Sequence, residues 1–88
     1  MSASGVIAGL SGQAANNATM LTNLGKSLTK AENNFNNAVT TGKDPGQIAA
    51  AKMAFEKEAQ KLQAKIGIME SLNRIIDQII ARIGQIGQ

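Results

Sequence analysis

The chain has 88 residues, a mass of 9.2 kDa and a formal charge of +3, from nine Lys and Arg against six Asp and Glu. It contains no Cys, His, Trp or Tyr, which excludes disulfide scaffolds, thiolate or imidazole metal sites, Cys nucleophiles and His-dependent triads. Its hydrophobic fraction of 43% includes fourteen alanines, so little bulk remains for a core in a chain short enough to bury only ~60% of its unfolded surface.

In chain order, Met1 to Gly12 lacks a cationic start, and its apolar run, Val6 to Leu10, is short and contains glycine. No cleavable secretory signal is expected there. Residues 1–15 are rich in Gly and Ser and are expected to form a flexible segment. A first helix is predicted over 16–40, starting at Ser11 at the earliest. Apolar or small residues recur at Ile7, Leu10, Ala14, Leu21, Leu24, Leu28, Ala31, Phe35 and Ala38, a heptad seam interrupted at Asn17.

Residues 41–46 read as a turn. Gly42 suits the left-handed position just past a helix end, Lys43 follows, Asp44 suits a cap, and Pro45-Gly46 opens the next helix, where a missing N–H costs nothing. A second helix is predicted over 45–84. Its seam reads Ile48, Ala51, Phe55, Ala59, Leu62, Ile66, Met69, Leu72, Ile76, Ile79, Ile83 and Ile86. With Ile48, Phe55, Leu62, Met69, Ile76 and Ile83 at heptad position a, Ile68 and Ile75 fall at g, and Ile66 and Ile80 at e. Those flanks are normally charged in a two-helix pair. The C-terminal third is therefore apolar over an arc wider than one antiparallel neighbour covers. The fold expected is all-α: a two-helix antiparallel, coiled-coil-like hairpin that polymerises into a helical filament, with a closed homo-oligomer as the alternative.

The charges point to no other partner class. Lys57, Lys61 and Lys65 form a stripe, but Glu56 and Glu58 interleave with it and only 17% of residues are charged, so no nucleic-acid partner is expected. Ile66 to Ile86 carries Glu70, Arg74, Asp77 and Arg82, which argues against stable membrane insertion, and those charges cancel, unlike the cationic face of a membrane-active helix. Glu70–Arg74 and Arg74–Asp77 have helical pair spacing and suit contacts on one surface or between copies. The six carboxylates lie along helix faces or at a cap, with no cleft to shift them. No catalytic, cofactor or metal site is expected, and the chain is not expected to be an enzyme.

Asp44-Pro45 in the central turn, Ile48-Ala49 after it, Lys57, and Glu70-Ser71-Leu72 followed by Ile75-Ile76-Asp77-Gln78-Ile79-Ile80 resemble the needle subunits of bacterial type III secretion systems. The resemblance runs from the proline to near the C-terminus, about half the chain. It departs from the family pattern at Gly42-Lys43, where a first proline is usual, and over Ala59 to Gln63, where aromatics are common.

What the resemblance implies is a structural subunit that is exported without cleavage to the bacterial cell surface. There it polymerises into the hollow needle through which effector proteins pass. An inner-rod or pilus subunit of the same kind of apparatus stays open beside the needle. The implied partners are further copies of the chain, a cytoplasmic chaperone pair before export, and the base, inner rod and tip protein of the apparatus. Ile66, Met69, Leu72, Ile75, Ile76, Ile79, Ile80, Ile83 and Ile86 would form subunit contacts, and Asn73 and Gln78 would face the lumen. A small secreted hairpin of the type VII secretion kind is disfavoured, because its Trp-x-Gly turn has no counterpart in a chain without Trp.

Overall fold

Ser2 starts the first helix. Its hydroxyl accepts from the Gly5 N–H at 3.1 Å, and the Val6 N–H donates to its carbonyl oxygen, also at 3.1 Å. In this computed structural model, which describes residues 2–86 and leaves Met1, Gly87 and Gln88 outside, α1 runs Ala3–Thr41 and α2 runs Pro45–Ile86. The two pack antiparallel as a coiled-coil-like hairpin.

Helix α1 begins well before the expected start at 16. The segment expected to be flexible is helical from Ala3 onward, with Met1 outside the described residues. Glycine and serine weaken a helix locally, but Val6, Ile7, Leu10 and Ala14 are half-buried in the hairpin, and that tertiary contact outweighs local propensity.

The turn holds three residues between the helices, 42–44. Asp44 caps α2: its Oδ1 accepts from Gly46 N–H at 3.0 Å, and its carbonyl oxygen accepts from Gln47 and Ile48 N–H at 3.0 and 3.2 Å. Gly42 differs from expectation. Its backbone is extended, with φ −69° and ψ 131°, and its N–H closes α1 by donating to the Ala38 carbonyl oxygen at 2.7 Å. What demands glycine is space: a Cβ there would lie 2.5 Å from the Ala38 oxygen and 2.9 Å from Cγ1 of Ile48.

Two cross-helix pairs fix the register. Phe35 and Phe55 stack with ring centroids 5.3 Å apart and planes inclined by 19°. Towards the open end, Asn17 donates to Asn73 at 3.0 Å. The residue numbers of both pairs have the same total, so the register does not slip between them. It sets Leu28 level with Leu62 and Ala14 level with Ile76.

The inward face of α1 steps through Ile7, Leu10, Ala14, Asn17, Leu21, Leu24, Leu28, Ala31, Phe35 and Ala38, all half-buried and alternating three and four residues apart. That of α2 runs Ile48, Ala51, Phe55, Ala59, Leu62, Ile66, Met69, Asn73, Ile76, Ile80 and Ile83. Two four-residue steps in succession, Ala51 to Phe55 to Ala59, make a stutter beside the Phe pair. Beyond it the seam takes Asn73 and Ile80, where apolar spacing alone takes Leu72 and Ile79; Ile66 stays in the seam as expected, and Ile80 moves there from the flank.

The result is a rod of 66 × 15 × 14 Å with a radius of gyration of 19.6 Å. A compact domain of this length has about 12 Å. Among the described residues only Leu62 and Ile76, at 5% and 7% exposure, are buried, so two helices alone provide no closed core.

Candidate functional site

Helix α2 carries two apolar faces side by side. One is the seam. The other consists of Ile68, Leu72, Ile75, Ile79 and Ile86, all exposed, with Ile68 at 57% and Ile75 at 50%. Their steps of four, three, four and seven residues are those of a second heptad stripe, about 100° round the helix from the first. The stripe spans ~27 Å at 1.5 Å per residue. Arg82 occupies the step between Ile79 and Ile86 and interrupts the apolar surface there.

The residues expected at subunit contacts divide between these faces. Ile76 is buried in the seam, and Ile66, Met69, Ile80 and Ile83 are half-buried along it. Leu72, Ile75, Ile79 and Ile86 face outward. Ile68 belongs with them; its place at a heptad flank marked it in the sequence. Asn73, assigned to a lumen by resemblance, lies in the seam against Asn17 and Ala14, whereas Gln78 is exposed beside the outer stripe. Among the turn residues, Lys43, Asp44, Pro45 and Gly46 are exposed, and Gly42 is packed under Ile48. Asn17 is a residue the sequence reading missed as a contact, although it occupies the step its neighbours require.

Apart from Arg82, charges avoid the outer stripe. Glu70, Arg74 and Asp77 lie on a third face, and the expected Glu70–Arg74 and Arg74–Asp77 pairs are not formed; Arg74 instead donates to the Ser71 hydroxyl at 3.2 Å. The only ion pair among the described residues is Lys52–Glu56 at 3.7 Å, exposed and worth little to stability. Residues 2–25 contain no ionisable side chain, and residues 66–86 are balanced, so the net charge of +3 resides in the turn half. An open depression at the far end of α2 is lined by Gln78, Ile79, Ala81, Arg82, Ile83 and Gln85 and continues the outer stripe.

Among the described residues no group of three or more acidic side chains converges to hold a metal, and no helix is long and apolar enough to cross a membrane. What the surface offers is non-directional apolar burial. The hairpin exposes 6424 Å², whereas a compact monomer of this mass would expose about 4,900 Å². The excess, about 1,500 Å², follows from the rod shape, in which two helices have no third layer to cover them. The shape is thus compatible with a small self-assembling helical hairpin.

No protein-family model matches the chain, and neither a curated protein nor a solved structure matches it.

Proposed function

We propose that this chain is a structural subunit that acts by assembling with copies of itself, and that the assembly is the needle of a bacterial type III secretion system. The observation that carries self-assembly is the outer stripe of α2, a heptad surface on a rod with no layer of its own to cover it. Isolated exposed aliphatics need no explanation, but a contiguous row of them at helical spacing marks a contact surface. Apart from Arg82 the stripe is uncharged, which limits like-charge repulsion between copies, and among the described residues Glu70, Asp77 and Arg82 make no ion pair, leaving them available to pair across an assembly.

The needle reading adds the Asp44-Pro45 turn and the Glu70-Ser71-Leu72 to Ile80 segment on a hairpin of the expected architecture. In this reading the subunit leaves the cell by the secretion machine, a cytoplasmic chaperone pair shields its apolar stripe beforehand, and base, inner rod and tip protein bound the finished conduit.

The test is electron microscopy of purified protein at rising concentration, with an Ile75→Asp/Ile79→Asp variant alongside. Thin tubes with a central channel, lost in the variant while its helicity persists, are the expected result. Tubes of normal yield from the variant would sink the assignment of the stripe. Solid fibres or closed particles would retain self-assembly and remove the conduit.

A further inference from the structure

We infer that copies meet through the two opposite flanks of α2: the outer stripe of one copy, framed by Lys65 and Arg82, packs against the flank of the next copy that carries Glu70 and Asp77. This rests on the self-assembly reading above and names the surface that receives the stripe.

The row that holds the stripe is longer than its apolar part. Lys61 and Lys65 precede Ile68 at the same alternation of four and three residues, and Arg82 follows Ile79, so one exposed row runs from basic through apolar to basic. Lys57 adjoins it, and Glu58 is the one acid on that side. Glu56, Gln63, Glu70 and Asp77 form a second row, each seven residues from the next and all exposed. Glu70 is two residues from Ile68 and five from Ile75, which at 3.6 residues per turn sets the two rows about 140–200° apart, on opposite sides of the helix. Rods lying side by side therefore present opposite signs to each other.

Two further observations point to pairing between copies. First, both flanks keep their charge. Among the described residues the only ion pair is Lys52–Glu56, so Lys61, Lys65, Arg82, Glu70 and Asp77 have no partner in the hairpin. Arg74 has helical pair spacing to Glu70 and to Asp77, yet it donates to the Ser71 hydroxyl instead. Second, the heights match. Glu70 lies five residues after Lys65, and Asp77 five before Arg82, ~7.5 Å along the axis in each case. Level copies that point the same way thus bring each carboxylate within reach of one long cationic side chain. Two ion pairs then close the ends of the contact, with Ile68, Leu72, Ile75 and Ile79 between them and the methylene stem of Arg74 opposite.

Charge selects a second copy as the occupant. Complementary charge fixes partner and orientation more than it adds affinity, which the apolar side chains supply by leaving water. Stripe against stripe would set two cation-bearing rows together and leave Glu70 and Asp77 facing solvent. An acidic partner or an anionic surface would satisfy the basic ends of the stripe and leave the acidic flank unused. A second copy uses both flanks. Since the two lie on opposite sides of one helix, the contact is heterologous and repeats from copy to copy, as a filament requires.

The experiment compares the wild-type chain with Lys65→Glu/Arg82→Glu, with Glu70→Lys/Asp77→Lys, and with an equimolar mixture of these two variants, by sedimentation velocity and electron microscopy over a concentration series. Circular dichroism of each dilute variant reads the fold, which should persist because all four residues are exposed and make no ion pair. Each variant alone has like charge on both flanks and should need a concentration about tenfold higher or more to assemble. The mixture should assemble within about threefold of the wild-type concentration, a change of under 1 kcal/mol, and should hold both proteins in equal amounts. Variants that assemble alone as the wild type does would overturn the inference and leave self-assembly standing. So would a mixture that assembles no better than its components, since the charges then act elsewhere. Closed dimers lost with Ile75→Asp but insensitive to both charge reversals would show the stripe pairing with itself. A wild-type chain that stays monomeric at every concentration would remove both readings.

Discussion

Asn17 and Asn73 meet side chain to side chain in the hairpin seam, with Nδ2 of Asn17 donating to Oδ1 of Asn73 at 3.0 Å across 56 residues of sequence. Nδ2 of Asn73 also donates to the Ala14 carbonyl oxygen at 3.4 Å. Both residues stand where a heptad seam ordinarily takes apolar groups. A single polar layer of this kind lowers stability and raises specificity, because any other register leaves both amides half-buried without partners. Asn73→Ala should therefore cost about 1–3 kcal/mol in urea unfolding by stranding Asn17. Asn17→Leu/Asn73→Leu should instead raise the midpoint and admit slipped registers. Amide NMR would detect these as more than one set of signals, and a single set would count against the register role.

That layer also explains how far the sequence was legible. The two helices, the turn and the capping role of Asp44 follow from three-four spacing and from Asp44-Pro45-Gly46, signals that are local. The phase of the seam past Ala59 is not local. Leu72 is more apolar than Asn73 and Ile79 is as apolar as Ile80, so hydrophobicity alone favours Leu72 and leaves the choice at 79 and 80 undecided. The stutter and the partner at Asn17 decide for the other pair. The start of α1 was hidden for the same reason: Gly5, Gly9 and Gly12 argue against a helix, and only packing of Val6, Ile7 and Leu10 on α2 overrides them. The width of the apolar arc in α2 was readable, but its division into an inner and an outer face required the partner helix.

The Phe35–Phe55 stack is the only aromatic contact the chain has. Both rings are half-buried, so Phe55→Ala should cost about 2 kcal/mol, below the range for fully buried Phe. A double-mutant cycle with Phe35→Ala should return a coupling of about 0.5–1.5 kcal/mol, measured by thermal or urea denaturation. Additive losses would mean that the rings contribute through burial alone.

Gly42 and Asp44 constrain the turn in different ways. Asp44→Ala removes the acceptor for Gly46 N–H and should cost about 1 kcal/mol. Gly42→Ala meets a backbone oxygen that has no freedom to retreat, so it should destabilise the hairpin although its φ suits any residue. A Gly42→Ala variant that melts at or above the wild type would show that the Ala38 carbonyl and Ile48 yield more easily than their packing implies.

Neighbouring isoleucines on α2 should separate folding from assembly. Ile76 is 7% exposed and level with Ala14, so Ile76→Asp places a carboxylate in the seam and should unfold the monomer, as unpaired buried charges do. Ile75 is half exposed on the outer stripe, so Ile75→Asp should leave monomer helicity and melting within about 0.5 kcal/mol of the wild type, the usual range for surface changes. Yet it places a charge at the centre of the proposed contact, and assembly should fail. Circular dichroism of dilute protein reads the first effect and sedimentation of concentrated protein the second. A variant at Ile76 also abolishes assembly, but only by removing the fold, so it says nothing about the interface. If Ile75→Asp unfolds the hairpin as Ile76→Asp does, the stripe belongs to the monomer's own packing and the two faces of α2 are one.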